Sequence, residues 1–303
     1  MSDYWSQYWQ QGHLTSFGKD IHGNYTGVLA NTWQAWLNGL DKSEVVVDLG
    51  CGNGALLDLV KDWVQPDTQL VGVDAASLTV PERLAAMDNI RFLERTDIAN
   101  MPLQDNSVSA VMSQYGIEYA DLEGAIKDVA RVLTRGGRFR FSMHDDQSVV
   151  VVPNQQILAA AQALIKPDGV VDRIRRLAQS LADFGQQHPH SEQCRLALNH
   201  AIDALINDHQ QGIAGTDFPA FIQSVMYPGN DLAKRNAMCD LFEQEMSGLV
   251  MRLQELVQAA LSSERKALFA ASCEASQLTI LSSGEERDDH GQLIGFYAEG
   301  VKR

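Results

Sequence analysis

The stretch VVVDLGCGNG, residues 45–54, decides how the rest of the chain is read. VVVDL is a short continuous apolar run, as expected of a strand buried on both faces. It contains one acidic residue, Asp48, and leads into three glycines in five positions, Gly50, Gly52 and Gly54. Without a Cβ, such a turn lets another group come close to the backbone. The run ALLDLVKDWV then reads as a helix. A dinucleotide fingerprint has the spacing GxGxxG, whereas this loop is GxGxG. A P-loop would close on Gly-Lys followed by Ser or Thr, and Lys61 lies too far along.

Working outward, the same alternation continues. LVGVD (70–74), IRFLE (90–94), VSAVMS (108–113) and GRFRFSM (137–143) read as four more strands. SLTVPERLAAM reads as a helix with Pro81 near its first turns. In DLEGAIKDVARVL (121–133), Leu122, Ile126, Val129 and Leu133 recur at three- and four-residue steps, with Gly136-Gly137 as the expected C-cap. Strands and helices alternating at this length predict a parallel sheet covered on both sides. The alternation stops near residue 149, and the chain reads as helical to about 275. Two stripes there are expected to face a core: Val170, Ile174, Leu177, Leu181 and Phe184, then Leu241, Phe242, Met246, Leu249, Leu253, Leu256 and Val257. QLTILSSGEERDDHGQLIGFYAEGVK returns to strand character as a hairpin.

The predicted organisation is an aromatic N-terminal segment (1–40), an α/β core (41–148 and 276–303) and a helical insertion (149–275). In the first segment, Trp5 and Trp9, and Tyr4 and Tyr8, lie four apart and share a helix side. Phe17, Tyr25, Trp33 and Trp36 follow; GHLTSFGKDIHGNYTG reads as a loop.

The chain has 303 residues, 39 acidic and 24 basic side chains, and a formal net charge of −15. That balance argues against a nucleic-acid partner. The densest basic cluster, Arg173, Arg175 and Arg176, reads as a solvated helix face. The polar, aromatic N-terminus, with Lys19 as its first basic residue, predicts no secretory signal. No apolar run is long enough to span a bilayer. Cys51, Cys194, Cys239 and Cys273 form no metal-like spacing and read as reduced thiols of a cytoplasmic protein. His188 and His190 read as a loop pair, so no metal is expected.

DLGCGNG resembles the first motif of class I S-adenosylmethionine-dependent methyltransferases. The resemblance covers residues 45–145 and 277–302. It continues through VGVDAA, RTDIANMPLQDNSVSAVMS, EGAIKDVARVLTRGGRFRFSM and the terminal hairpin, in that order. It implies a doubly wound, Rossmann-like, seven-stranded sheet with strand seven antiparallel, the insertion lying between strands five and six. It implies S-adenosylmethionine as cofactor. Asp48 would take the ammonium; Gly50, Cys51, Gly52 and Gly54 would form the loop. Asp74, followed by Ala75, would take the ribose hydroxyls, and Asp97 with Ile98 would flank adenine. Each aspartate also has a plainer reading: Asp48 and Asp97 as turn caps, Asp74 as a strand-end turn residue.

Methyl transfer from a sulfonium needs alignment and exclusion of water, with a base only where the acceptor keeps a proton. The acceptor is expected beyond the strand ends. After strand four stand Ser113, Gln114, Tyr115, Glu118 and Tyr119; after strand five stand His144, Asp145 and Asp146. His144 is the first candidate base, with Glu118 and Tyr115 behind it. Ser113 and Gln114 are placed on the cofactor side. The aromatic N-terminal segment reads as a lid, with His13 and Phe17 near the ligand, or as core packing. The insertion reads as a cap on a small-molecule acceptor, with Phe218, Phe221, Met226 and Tyr227 lining it. A homodimer surface and a core extension are its other readings. A protein or tRNA methyltransferase and a non-catalytic cofactor-binding module are the functional alternatives; strand four ends in SQYG, with no NPPY-type motif.

Overall fold

The computed structural model describes residues 4–15, 23–38 and 45–303. Phe17 and Lys19 lie outside the described residues, as does the side chain of Tyr4. The chain divides into two compact units: residues up to Val149 with Gln258–Arg303, and Val150–Val257.

In the first unit the elements run α1 (Tyr4–Gln10), α2 (Gly27–Leu37), β1 (Val45–Leu49), α3 (Ala55–Val60), β2 (Gln69–Val73), α4 (Glu82–Ala85), β3 (Ile90–Leu93), β4 (Val108–Gln114), α5 (Leu122–Val132) and β5 (Leu133–Met143). The second unit holds α6 (Val151–Ile165), α7 (Val170–Phe184), α8 (Pro189–His209), α9 (Phe218–Val225) and most of α10 (Leu232–Ala259). The first unit resumes with α11 (Ser263–Ala275), β6 (Leu278–Arg287) and β7 (Leu293–Lys302).

The strands form one sheet in the order β3-β2-β1-β4-β5-β7-β6. β1 to β5 are parallel, and β7 runs antiparallel between β5 and β6. Apolar runs suit these central strands because alternate side chains enter opposite faces. Val47, Val71, Val111, Phe139 and Phe141 pack toward Ile126 and Val129 of α5 and Phe269 and Cys273 of α11. Val46, Leu70, Ala110 and Met112 pack toward Trp33 and Trp36 of α2 and Leu57 and Val60 of α3.

Several boundaries differ from expectation. The helix expected over SLTVPERLAAM shrinks to α4, with Pro81 as its N-cap, since proline biases the residue before it away from helix. Gly136 and Gly137 do not cap α5; β5 already starts at Leu133, and the glycines lie inside it, Gly136 with φ of 78°. The helical run read over 149–275 divides: α11 joins the sheet unit because Phe269 and Cys273 complete one of its faces.

The helical unit has its own core, in which Ile174, Leu177, Leu198, Phe218 and Met246 are buried. Phe221 stacks on Phe242 at 3.9 Å between ring centroids, so Phe218 and Phe221 serve this core. Tyr227 is exposed. Phe184, the last residue of α7, and Leu241, expected on the buried stripes, are also exposed. His188 caps the N-terminus of α8, its Nδ1 accepting from the His190 N–H. Among the described residues, no helix is long and apolar enough to cross a membrane, and no cluster of His, Cys, Asp and Glu is arranged for a metal ion.

Candidate functional site

The sheet order reverses direction between β1 and β4, and a cleft opens there beyond the carboxyl ends of the strands. The glycine loop forms its floor. Gly50 and Gly52 have φ of 67° and 50°, a left-handed conformation that favours glycine. The loop is held from within: Gly50 N–H and Cys51 N–H both donate to Val73 O (2.8 and 3.1 Å), and Gly54 N–H donates to Cys51 O (2.9 Å). The close approach read from the glycines is made largely by the protein itself. A Cβ on Gly50 would lie 2.6 Å from the Gly116 Cα, and one on Gly52 would lie 2.5 Å from the Trp9 ring. The glycines thus let the loops after β1 and β4 touch, and let the Trp9 indole come against the floor.

The aromatic segment covers this floor. Trp5 and Trp9 stack at 6.1 Å, as their four-residue spacing on α1 predicts, and both line the cleft. Asn53, 1 % exposed, ties the segment down: its Nδ2 donates to Trp9 O (2.9 Å) and His13 O (2.8 Å), while its Oδ1 accepts from Thr79 N–H (2.8 Å). Ser6 Oγ accepts from Ser77 N–H (3.0 Å). Asn24 Nδ2 donates to Ala55 O (2.8 Å), which seats Tyr25 on the cleft wall. His13 stacks on Tyr8 at 4.7 Å and does not line the cleft.

The cleft holds about 840 Å³ of space free of protein atoms, its open mouth included. Asp48, Asp74 and Asp97 line it, and among the described residues no Lys, Arg or His does. Asp74 binds the loop with both oxygens: Oδ2 accepts from Gly52 N–H and Oδ1 from Ala76 N–H, each at 2.8 Å. Burial raises its carboxyl above the usual range, against the pull of those two hydrogen bonds. Asp97 is exposed and caps the short turn Ile98–Asn100, Oδ1 accepting from Ala99 N–H (2.9 Å). The plainer turn reading therefore describes part of what Asp74 and Asp97 do. Asp48 is different. It is 2 % exposed, and its Oδ2 has no hydrogen-bond partner. Burial, reinforced by the charge of Asp74, pushes its carboxyl well above the usual range.

The remaining residues separate into two groups. Ala75, Cys51, Ile98, Gln114 and Tyr115 line the cleft. Burial, then the nearby acids, push the Cys51 thiol well up, so it stays a thiol; its sulfur occupies the space left by Gly72. Tyr115 is held as a neutral phenol by burial and by the charge of Glu286. Ser113, His144 and Glu118 are buried and do not line the cleft. Ser113 Oγ donates to Leu49 O (2.7 Å) and accepts from Ile117 N–H (2.9 Å), bracing the β4 loop against β1. Glu118 Oε1 accepts from both His144 N–H (2.9 Å) and His144 Nδ1 (2.8 Å). A carboxylate only accepts, so Nδ1 carries a proton, and in the neutral ring the lone pair is then on Nε2. The imidazole lies 4.4 Å from the Tyr115 ring and 5.9 Å from that of Tyr119, both cleft-lining.

Asn53 and Gly116 escape a reading from sequence, and Tyr25 and Trp33 are read there only as members of the aromatic segment. Asn53 lies inside the glycine motif, and a polar residue between two glycines was a usable signal. The others carry no local one.

Residues 47–141 match the family model described as a methyltransferase domain. An uncharacterized methyltransferase, YcgJ of Bacillus subtilis, is 30% identical over 104 residues, which are 33% of this chain and 40% of that protein. The malonyl-[acyl-carrier protein] O-methyltransferase of a Marinomonas species is 30% identical over 109 residues, 34% of this chain and 39% of that one. The chain thus spans well under half the length of these relatives. Among solved structures, a methyltransferase in complex with the Haloferax volcanii Trm112 activator aligns with a TM-score of 0.45 at 14% identity, over 90% of this chain and 88% of that one. From β1 into β5, residues 47–141 of this chain match a methyltransferase domain.

Proposed function

We propose that the protein transfers a methyl group from S-adenosylmethionine to a small-molecule acceptor. The observation that carries this is the buried, unpartnered Asp48 carboxylate oxygen in a cleft with three carboxylates and no described basic side chain. Such a site repels the pyrophosphate of a dinucleotide and attracts a cation. S-adenosylmethionine brings an ammonium and a methyl group activated by a positive sulfur. Asp48 would take the ammonium. Asp74 keeps two lone-pair directions for the ribose hydroxyls after bracing the loop. Asp97 and Ile98 would hold the adenine edge and face. Trp5 and Trp9 offer aromatic faces to positive charge and keep water out.

The acceptor is assigned as a small molecule because a cleft lined by acids and aromatics disfavours a polyanion such as tRNA. For an acceptor that keeps a proton, His144 is the base we assign, with Glu118 holding its tautomer; it stands behind the rings of Tyr115 and Tyr119, one of which would have to turn aside for Nε2 to reach the acceptor. Alignment of acceptor, methyl and sulfur for in-line displacement is the main catalytic demand.

The test is calorimetric titration with S-adenosylmethionine, S-adenosylhomocysteine and NAD. Saturable binding of the first two and none of NAD is expected. Binding of NAD alone, or of none, overturns the reading.

A further inference from the structure

His144 is 4 % exposed, and two tyrosine rings stand against it. They cover it in different ways. Its Nδ1 faces Glu118, so Nε2 lies on the far edge of the imidazole, and a proton reaches that nitrogen in the plane of the ring. The Tyr115 ring is tilted by only 31° at 4.4 Å, so it lies against a face of the imidazole and leaves the plane open. The Tyr119 ring stands across the imidazole, at 86° and 5.9 Å.

The two rings are also held differently. Tyr115 is buried and follows β4 in a left-handed conformation, φ 56°, which a bulky residue adopts only where its surroundings impose it. Its N–H donates to Ser142 O (2.8 Å), and a Cβ on Gly295 would lie 3.2 Å from its ring, so β5 and β7 both back it. Tyr119 is half-buried at the end of the short turn Ile117–Tyr119 and meets Trp5 edge to face at 5.7 Å. Trp5 stacks on Trp9, whose ring lies against Gly52. One row of rings thus runs from the glycine loop through α1 to His144. Of the two tyrosines, Tyr119 is the one that can turn without disturbing the sheet.

We infer that Tyr119 gates His144: an acceptor gives up its proton only after this ring turns away, and α1, seated on the glycine loop, holds the ring in place through Trp5. Tyr119 is then a positioning residue that discriminates between acceptors, since one with no proton to lose needs no access to Nε2. This rests on the assignment of His144 as the base.

The experiment needs no acceptor. Diethyl pyrocarbonate acylates a neutral imidazole nitrogen, and peptide mass spectrometry follows each histidine separately. The exposed His200 and His290 are internal references. With the turned state populated at ~0.1–10 %, Tyr119→Ala should speed modification of His144 by at least ~10-fold against the references. Tyr119→Phe keeps the ring and should stay within ~2-fold of wild type. Asn53→Ala loosens α1 without touching Tyr119 or His144, and should speed the reaction ~3- to 10-fold. Thermal melting of each variant separates an opened gate from an unfolded chain. A His144 rate unchanged in folded Tyr119→Ala, or already equal to that of His200 in wild type, overturns the gate. An unchanged rate in Asn53→Ala overturns the role of α1. The kcat of His144→Asn tests the base reading separately: a wild-type value there removes the base, whatever the modification rates show.

Discussion

Replacing Asp48 by asparagine should stabilise the free protein and weaken the ligand at once. The side chain is almost fully buried, Oδ2 lacks a partner, and Asp74 stands near as a like charge. An unsatisfied buried polar group costs ~1–3 kcal/mol, more when charged. Asparagine keeps the shape and removes the charge. A net gain of ~1–2 kcal/mol corresponds to a Tm rise of ~2–6 °C for a domain of this size. The sign with pH follows from the direction of the shift. A carboxyl whose folded pKa is raised favours the folded state when protonated and loses that contribution as pH rises through its raised value. The two proteins should therefore differ at neutral pH and converge as pH falls through the raised value toward the ordinary carboxylate range. Removing one partner of a buried charge pair costs ~2–5 kcal/mol, so S-adenosylhomocysteine affinity should drop at least ~30-fold. Differential scanning fluorimetry across pH and calorimetric titration measure both. A variant with lower Tm at neutral pH and unchanged affinity would refute the argument, since Asp48 would then be a satisfied structural cap.

Other substitutions separate the lid, the candidate base and the thiols. Asn53→Ala breaks two hydrogen bonds to the aromatic segment and should weaken S-adenosylhomocysteine by ~10-fold while speeding proteolysis before residue 23; calorimetry and limited proteolysis report both. His144→Asn should lower kcat by ~100-fold or more for a hydroxyl acceptor, with cofactor affinity retained; a loss of affinity with kcat intact would assign His144 to packing against Tyr115 and Tyr119. A disulfide-exchange reagent should find one fast thiol, Cys194, in the native protein. Cys51, Cys239 and Cys273 are buried, with Cys239 pushed up to about 11 and Cys273 to about 12, and should react only on unfolding.

Much of the sheet was legible because its information is local. Val45–Leu49 announces a buried strand through its own apolar run, and the glycines after it announce a left-handed turn through their missing Cβ atoms. The amphipathic stripe of α5 placed that helix within a residue or two. Elements set by contacts were read less well. α4 is four residues long where a full helix was expected, and α11 joins the sheet rather than the helical unit.

The candidate site divides along the same line. Sequence alone determined that an acidic residue, a glycine turn and acidic strand ends would converge at one edge of a parallel sheet, because a β-strand carries its C-terminal loop to a fixed edge. Only the tertiary structure decided what each group does there. The faces of Gly50 and Gly52 are taken by Gly116 and Trp9; Asp74 braces the loop while Oδ2 of Asp48 is left without a hydrogen bond; Trp33 sets the amide of Gln114; and His144 with Glu118 stands one ring behind the wall. These are pairings between residues up to 81 positions apart, and a hydrogen bond or a filled space at that separation leaves no period or spacing in the sequence to read.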